Sequence, residues 1–207
     1  MTILGLDFDN TLVTYDDLFY RTALSKGLIE ESTPANKKII RDRLRSKKMD
    51  NEFTLLQGEV YGSRITEASP SEGMLEALIN IKRSGIKLCI ISHKTQYPYK
   101  GEKYDLHKAA LRWLKKNKFF DSEGLGMERS EIYFQATKEE KVKRIEELGC
   151  DYYIDDLVEI LEMINSKTKK ILYDPKNGTN PEKYSDIIKV RSWSEIEKIM
   201  ARQNNGR

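Results

Sequence analysis

Two aspartates interrupt the first apolar segment of the chain. Residues 5–13 read GLDFDNTLV, so that Asp7 and Asp9 lie within or just after a strand predicted over 3–8, and Thr11 follows two residues later. A spacing of two residues places both carboxylates on one face of a regular strand. One carboxylate can act as a nucleophile and a second can move a proton. A single aspartate at the end of a strand often only forms a turn or caps a helix, so the pattern has to be judged together with the ends of the other strands.

Polar and charged residues also follow two later predicted strands, at 87–91 and 152–154. These residues are Ser92, His93, Lys94, Asp155 and Asp156. The carboxyl ends of parallel strands meet at one edge of a sheet, so we expect these side chains to lie near Asp7 and Asp9. Carboxylates that close together need a cation, and oxygen ligands suit Mg²⁺, which also holds phosphate groups.

The elements that carry these residues alternate between strand and helix from residue 69 onward. Strands are predicted at 3–8, 87–91, 132–134, 152–154, 170–173 and 187–190, and helices at 72–84, 105–116, 137–148, 157–164 and after 192. This alternation predicts an α/β fold with a Rossmann-like, doubly wound parallel sheet. Residues 14–68 contain helical patterns and no convincing strand, which indicates a small, mostly helical insertion after the first strand.

Two lysines are candidates for the position beside the carboxylates at the carboxyl edge of the sheet. Lys138 lies at the first position of the helix predicted over 137–148, where its charge opposes the helix dipole. Lys141 lies one turn later and shares a face with Ile145 and Leu148, toward the sheet. We favour Lys141 and keep Lys138 as the alternative.

The chain resembles the haloacid dehalogenase (HAD) superfamily of phosphatases in four motifs. In chain order they are the segment DFDNTL, Ser92, a lysine and the segment IDDL. The resemblance covers roughly residues 1–13 and 69–200. The inserted segment is similar to the helical type-1 cap of that family. The resemblance implies a catalytic core formed by residues 1–13 and 69–207 and a cap formed by residues 14–68.

The resemblance also implies a role for each motif residue. Asp7 is the expected nucleophile, which forms an aspartyl-phosphate, and Asp9 the expected proton donor and base. In the family an aspartate at the second position favours phosphate esters over dehalogenation. The remaining assignments are phosphate binding and loop support for Thr11, phosphate binding for Ser92, charge neutralisation for Lys141, and Mg²⁺ binding for Asp7, Asp9, Asp155 and Asp156. Because Ile154 stands where the family commonly has glycine, either Asp155 or Asp156 can be the closer ligand.

Other residues are candidates for substrate binding. His93 and Lys94 begin a long segment after the strand at 87–91, and loops in this position reach ligand pockets. Glu59 and Tyr61 lie in the segment LQGEVYG of the insertion, which also fits a plain helix–turn boundary. The IDDL and QGEVYG segments are similar to those of HAD proteins from bacterial surface-polysaccharide pathways.

These features together predict a Mg²⁺-dependent hydrolase of small phosphomonoesters, of the sugar or polyol type. A nucleotidase is one alternative, and a phospho-accepting or binding protein without hydrolysis is another. The 207 residues carry a net charge of only +3 and contain no compact aromatic and basic motif, so we expect no nucleic-acid partner. No apolar run reaches the length of a membrane span and no signal-peptide pattern is present, so we expect a soluble cytoplasmic protein with no membrane partner. We also expect a monomer or homodimer. The two cysteines are predicted to be buried thiols.

Overall fold

The computed structural model describes residues 1–165, 167–179 and 184–204, and these fall into two compact units. Unit 1 consists of Met1–Leu12, Pro70–His93 and the described residues of Lys118–Arg207. Unit 2 consists of Val13–Ser69 and Lys94–Asn117. The segment predicted as a cap therefore lies in unit 2 together with 94–117, which the sequence interpretation placed with the sheet. The predicted domain boundaries stay a prediction.

Unit 1 is built on a six-stranded parallel sheet. Its strands are β1 (Ile3–Leu6), β4 (Lys87–His93), β5 (Ile132–Gln135), β6 (Tyr152–Asp155), β7 (Lys169–Tyr173) and β8 (Ile187–Val190). They lie side by side in the order β5-β4-β1-β6-β7-β8. Outside this sheet, β2 (Val13–Thr14) pairs with β3 (Ser69–Pro70) at the two ends of the segment Val13–Ser69. The predicted α/β class with a parallel sheet is confirmed. The strand β1 ends two residues earlier than predicted, so that Asp7 and Phe8 begin the following loop.

Helices alternate with the strands of unit 1. They are α4 (Met74–Arg83), α6 (Lys138–Glu147), α7 (Val158–Met163) and α8 (Trp193–Asn204), and a short 3₁₀ turn spans Arg129–Glu131. The predicted capping box of α6 is confirmed, because the Thr137 hydroxyl accepts a hydrogen bond from the N–H of Glu140 and the Glu140 carboxylate accepts one from the N–H of Thr137. This box fixes where α6 begins, and thereby which of its lysines turns toward the sheet.

Unit 2 is helical. It contains α1 (Asp16–Ser25), α2 (Lys37–Ser46), α3 (Asp50–Tyr61), a 3₁₀ turn (Ile65–Glu67) and α5 (Leu106–Lys116). The first three helices pack against one another, and the rings of Phe19 and Phe53 stack with centroids 5.8 Å apart. The buried Trp113 of α5 donates a hydrogen bond to the carbonyl of Ala68 (2.8 Å). Among the described residues, no helix combines the length and the apolar composition that crossing a bilayer requires.

Gly5 lies in the centre of the sheet, where neighbouring side chains leave no room for a larger residue. It pairs with Cys89 on β4 and with Tyr153 on β6. A Cβ atom at Gly5 would lie 2.6 Å from the Tyr153 ring and 3.0 Å from the sulfur of Cys150. The two thiols are buried and free, as predicted, with their sulfurs 3.8 Å apart.

We therefore expect Gly5→Ala to lower the free energy of unfolding by about 1–3 kcal/mol, because the added methyl group has to displace a buried ring. Urea denaturation measures this difference. Gly178→Ala is the control, since within the described part of the chain no heavy atom other than those of the adjacent residues lies within 4 Å of a Cβ at that position. Equal stabilities of the two variants would contradict the packing described for β1.

Candidate active site

The strand order brings three chain segments together at the carboxyl edge of unit 1. The strands β4, β1 and β6 are neighbours and run parallel, so the residues that end them lie side by side. Asp7 follows β1, Ser92 is the penultimate residue of β4, and Asp155 is the last residue of β6. The N–H of Asp7 donates a hydrogen bond to the carbonyl of Ile154 (2.9 Å), which holds the loop after β1 against β6.

Asp7 is the centre of this edge. Its side chain is almost completely buried, and its Oδ1 atom accepts hydrogen bonds from the hydroxyl of Ser92 (3.0 Å) and the ammonium of Lys141 (2.6 Å). Both donors were predicted from the sequence to lie near Asp7. A hydroxyl and an ammonium on one oxygen fix the direction in which the carboxylate points.

Lys141 bridges two carboxylates. It is 2% exposed, and its ammonium lies 2.6 Å from Asp7 Oδ1 and 2.7 Å from Asp155 Oδ2. These neighbours raise the pKa of Lys141 against the opposing effect of burial, so the side chain stays charged. The alternative candidate Lys138 pairs instead with Glu159 at the surface, at 2.6 Å. Of the two lysines, the structure brings Lys141 to the charged edge.

Three carboxylates lie close together here, and the ammonium of Lys141 contacts two of them. Single oxygens of Asp7, Asp155 and Asp156 lie within 4.8 Å of one another. Burial, and then the charges of neighbouring aspartates, raise the pKa of Asp7 to about 7, although Lys141 opposes this shift. Burial and the charges of Asp7 and Asp155 also raise the pKa of Asp156 well above its ordinary value. Ionised carboxylates this close favour a bound cation, and a set of oxygen donors matches a hard divalent ion such as Mg²⁺.

The two aspartates after β6 have different partners. Asp155 is fully buried, and besides Lys141 it accepts a hydrogen bond from the N–H of Leu157 (2.9 Å). Asp156 is half-buried and accepts a hydrogen bond from the side-chain amide of Asn10 (3.2 Å). Both aspartates therefore stay candidate ligands of a cation.

The remaining motif residues of the first loop lie in different environments. Asp9 is half-buried. Thr11 is fully buried, and its hydroxyl has no hydrogen-bond partner among the described residues. The loop is instead held through the main chain, because the carbonyl of Thr11 accepts a hydrogen bond from the Ser71 hydroxyl (2.5 Å). The loop support expected of Thr11 therefore does not come from a hydrogen bond of its side chain within the described residues, and its phosphate-binding role stays a prediction.

The candidate substrate residues are divided between the units. In unit 1, the ring of His93 lies within hydrogen-bond distance of the Ala136 carbonyl (3.0 Å). In unit 2, the buried Lys94 places its ammonium 5.4 Å from the centre of the Tyr61 ring. Glu59, also in unit 2, forms an ion pair with Lys26 (2.6 Å). The substrate-binding roles of these residues stay predictions.

Sequence reasoning did not single out Asn10. This residue adopts the left-handed backbone conformation, with φ of 59°, between the two motif residues Asp9 and Thr11. The signal in the sequence was its type, because asparagine tolerates this conformation better than most residues with a side chain. Its contact with Asp156 joins positions 146 residues apart and has no sequence signal.

No family model and no curated protein matches the chain. Solved structures do. A HAD-superfamily hydrolase from Ehrlichia chaffeensis has a TM-score of 0.56 at 16% identity, with 98% of each chain covered. A HAD hydrolase of family IA, variant 3, from Entamoeba histolytica has a TM-score of 0.59 at 14% identity, covering 99% of this chain and 100% of the other.

A third similar structure is that of YfnB from Bacillus subtilis, which is bound to magnesium. It has a TM-score of 0.53 at 12% identity and covers 96% of this chain and 98% of the other. Dehalogenases also have similar structures. The chain has the fold of the HAD-superfamily hydrolases.

Proposed function

We propose that this protein is a Mg²⁺-dependent phosphomonoester hydrolase of the HAD superfamily that acts through an aspartyl-phosphate on Asp7. One observation carries the proposal: the carboxylate of Asp7 is held by Ser92 and Lys141 at the sheet edge where Asp155 and Asp156 also lie. A fixed carboxylate beside an ammonium suits attack on phosphorus, because the transferring group carries negative charge that the ammonium stabilises.

The donor set fits Mg²⁺. Its members are carboxylate oxygens, and three carboxylates with one ammonium leave two negative charges, which one divalent cation balances. Asp7, Asp155 and Asp156 would hold the ion, and the carbonyl of Asp9 is a further candidate ligand. When bound, the ion supplies positive charge to the phosphate oxygens and lowers the pKa of the surrounding carboxylates.

The proposed reaction proceeds in two displacements, and residues of the chain act in each. The Asp7 carboxylate attacks phosphorus, the bond from phosphorus to the leaving oxygen breaks, and Asp9 donates a proton to that oxygen. In the second step Asp9 takes a proton from water, which attacks the phosphoryl group and restores the Asp7 carboxylate. Ser92 and Lys141 keep Asp7 in place and bind the charge of the transferring oxygens.

We propose a small sugar or polyol phosphate as the substrate class, with a nucleotide as the alternative. The proposed place in bacterial surface-polysaccharide synthesis rests on the similarity of the IDDL and QGEVYG segments alone. We also propose unit 2 as the cap, and leave Glu59, Tyr61 and Lys94 as candidates for selecting the leaving group.

A dehalogenase is the second candidate, because dehalogenases share this fold. The acid at position 9 favours phosphate esters, since an alkoxide leaving group needs a proton and a halide does not. A phospho-accepting protein that does not hydrolyse its phosphoryl group would also use Asp7, but it would have no use for a proton shuttle.

The experiment is phosphate release from a panel of sugar phosphates, polyol phosphates and nucleotides, with Mg²⁺ and with EDTA. We expect release from one compound class that requires the metal. Asp9→Asn is expected to lower this release by at least about 10²-fold, the usual contribution of general acid–base catalysis. No release from any compound, or halide release from haloacids instead, would contradict the proposal.

A further inference from the structure

Asn10 occupies the turn between the two aspartates of the first motif. Its φ of 59° lies in the left-handed region, where asparagine and glycine are the most readily accommodated residues. The backbone alone would be served as well by glycine, which has no steric cost in this region. The backbone conformation therefore does not explain why this turn has an amide side chain.

The amide of Asn10 makes a contact outside its own loop. Its Nδ2 atom donates a hydrogen bond to Oδ2 of Asp156 (3.2 Å), and so connects the loop after β1 with the loop after β6. Asp156 is one of the three residues whose carboxylate oxygens lie within 4.8 Å of one another. The bond thus fixes one member of that cluster.

The hydrogen-bond donor to Asp156 is an uncharged amide, and this lack of charge affects the cluster. Lys141 already binds Asp7 and Asp155, and it contributes one positive charge to the cluster. A second lysine or an arginine on Asp156 would cancel the negative charge that a divalent cation needs. The neutral amide orients the Asp156 carboxylate and leaves its charge intact. Residues that hold metal ligands in this way commonly change metal affinity when they are replaced.

We propose that Asn10 is a positioning residue that holds the Asp156 carboxylate for a divalent cation and thereby sets the cation affinity of the site. This inference rests on the proposed function, because it needs a metal at the cluster. It adds a residue that the motif assignments do not include.

The test is calorimetric titration of the full-length protein with Mg²⁺, comparing the wild type with Asn10→Gly and Asn10→Ala. Both variants lose the amide, so we expect both to bind Mg²⁺ about 10-fold more weakly. Only alanine is strained by the left-handed conformation, so Asn10→Ala alone should also lose stability, seen as a lower midpoint of urea unfolding. At saturating Mg²⁺, phosphate release by Asn10→Gly should approach that of the wild type.

The outcomes separate the inference from the proposed function. If the wild type binds Mg²⁺ and Asn10→Gly binds it equally well, the inference is wrong and the proposed function stands. If Mg²⁺ affinity falls in Asn10→Ala alone, the backbone conformation and not the amide is responsible, which also overturns the inference. If the wild type itself binds no Mg²⁺, the proposed metal is wrong and the inference falls with it.

Discussion

Asp7→Asn is expected to lower phosphate release by at least about 10⁴-fold, because the amide cannot attack phosphorus and no other step can replace the covalent intermediate. The loss should appear in kcat for every substrate that the wild type hydrolyses. Asp186→Asn is the control: this carboxylate pairs with Lys170 at 2.7 Å, and its removal should leave phosphate release unchanged. Release by Asp7→Asn near the wild-type rate would remove Asp7 from the mechanism.

Asp7→Asn should also change how the stability of the protein depends on pH. Burial and neighbouring carboxylates raise the pKa of Asp7 to about 7, whereas an aspartate in the unfolded chain titrates near 3.8. Between these two values the folded metal-free protein binds the extra proton, so this group makes stability fall as the pH rises. Asp7→Asn removes that contribution, and thermal unfolding in EDTA between pH 5 and pH 8 should show a flatter profile than the wild type, on the basis of these pKa values.

Lys141→Met is expected to damage both activity and stability. The ammonium lies within 2.7 Å of two buried carboxylates, and its removal leaves their charges uncompensated. Breaking a buried ion pair in this way costs about 3–5 kcal/mol of unfolding free energy. Phosphate release should fall by about 10³-fold or more, because the charge that stabilises the transferring oxygens and holds Asp7 is lost. Urea denaturation and phosphate release on the same sample measure the two effects.

Lys138→Met is the matched control, since Lys138 lies on the same helix one turn away and pairs with Glu159 at the surface. A surface ion pair contributes about 0–1 kcal/mol, so this variant should resemble the wild type in both measurements. If Lys138→Met were the inactive variant and Lys141→Met the active one, the proposed role of Lys141 would be wrong.

Most of the fold could be predicted from the sequence because the two hydrophobic periods are clear. The apolar run at 87–91 is typical of a strand covered on both faces, and the capping box at Thr137 marked the start of a helix. The helix Leu106–Lys116 was also recognised, but its membership of unit 2 was not. An amphipathic pattern shows that one face is buried, but it does not show against which element.

The contacts of the candidate active site could also be predicted only in part. The meeting of Asp7, Ser92 and Asp155 could be predicted because parallel neighbouring strands bring their carboxyl ends to one edge. The position of Lys141 followed from helical spacing. The contact of Asn10 with Asp156 could not be predicted, since it depends on how two loops approach each other. The pairing of Glu59 with Lys26 was missed for the same reason.

The most direct test of the central claim is to look for the phosphoryl group on Asp7 during turnover. An aryl phosphate, whose leaving group needs no proton, is mixed with Mg²⁺ and Asp9→Asn, the reaction is stopped with acid, and the peptides are analysed by mass spectrometry. We expect a phosphoryl group on the peptide that contains Asp7, because the variant forms the intermediate but hydrolyses it slowly. A phosphoryl group on another residue, or wild-type hydrolysis with inversion of configuration at phosphorus, would contradict it.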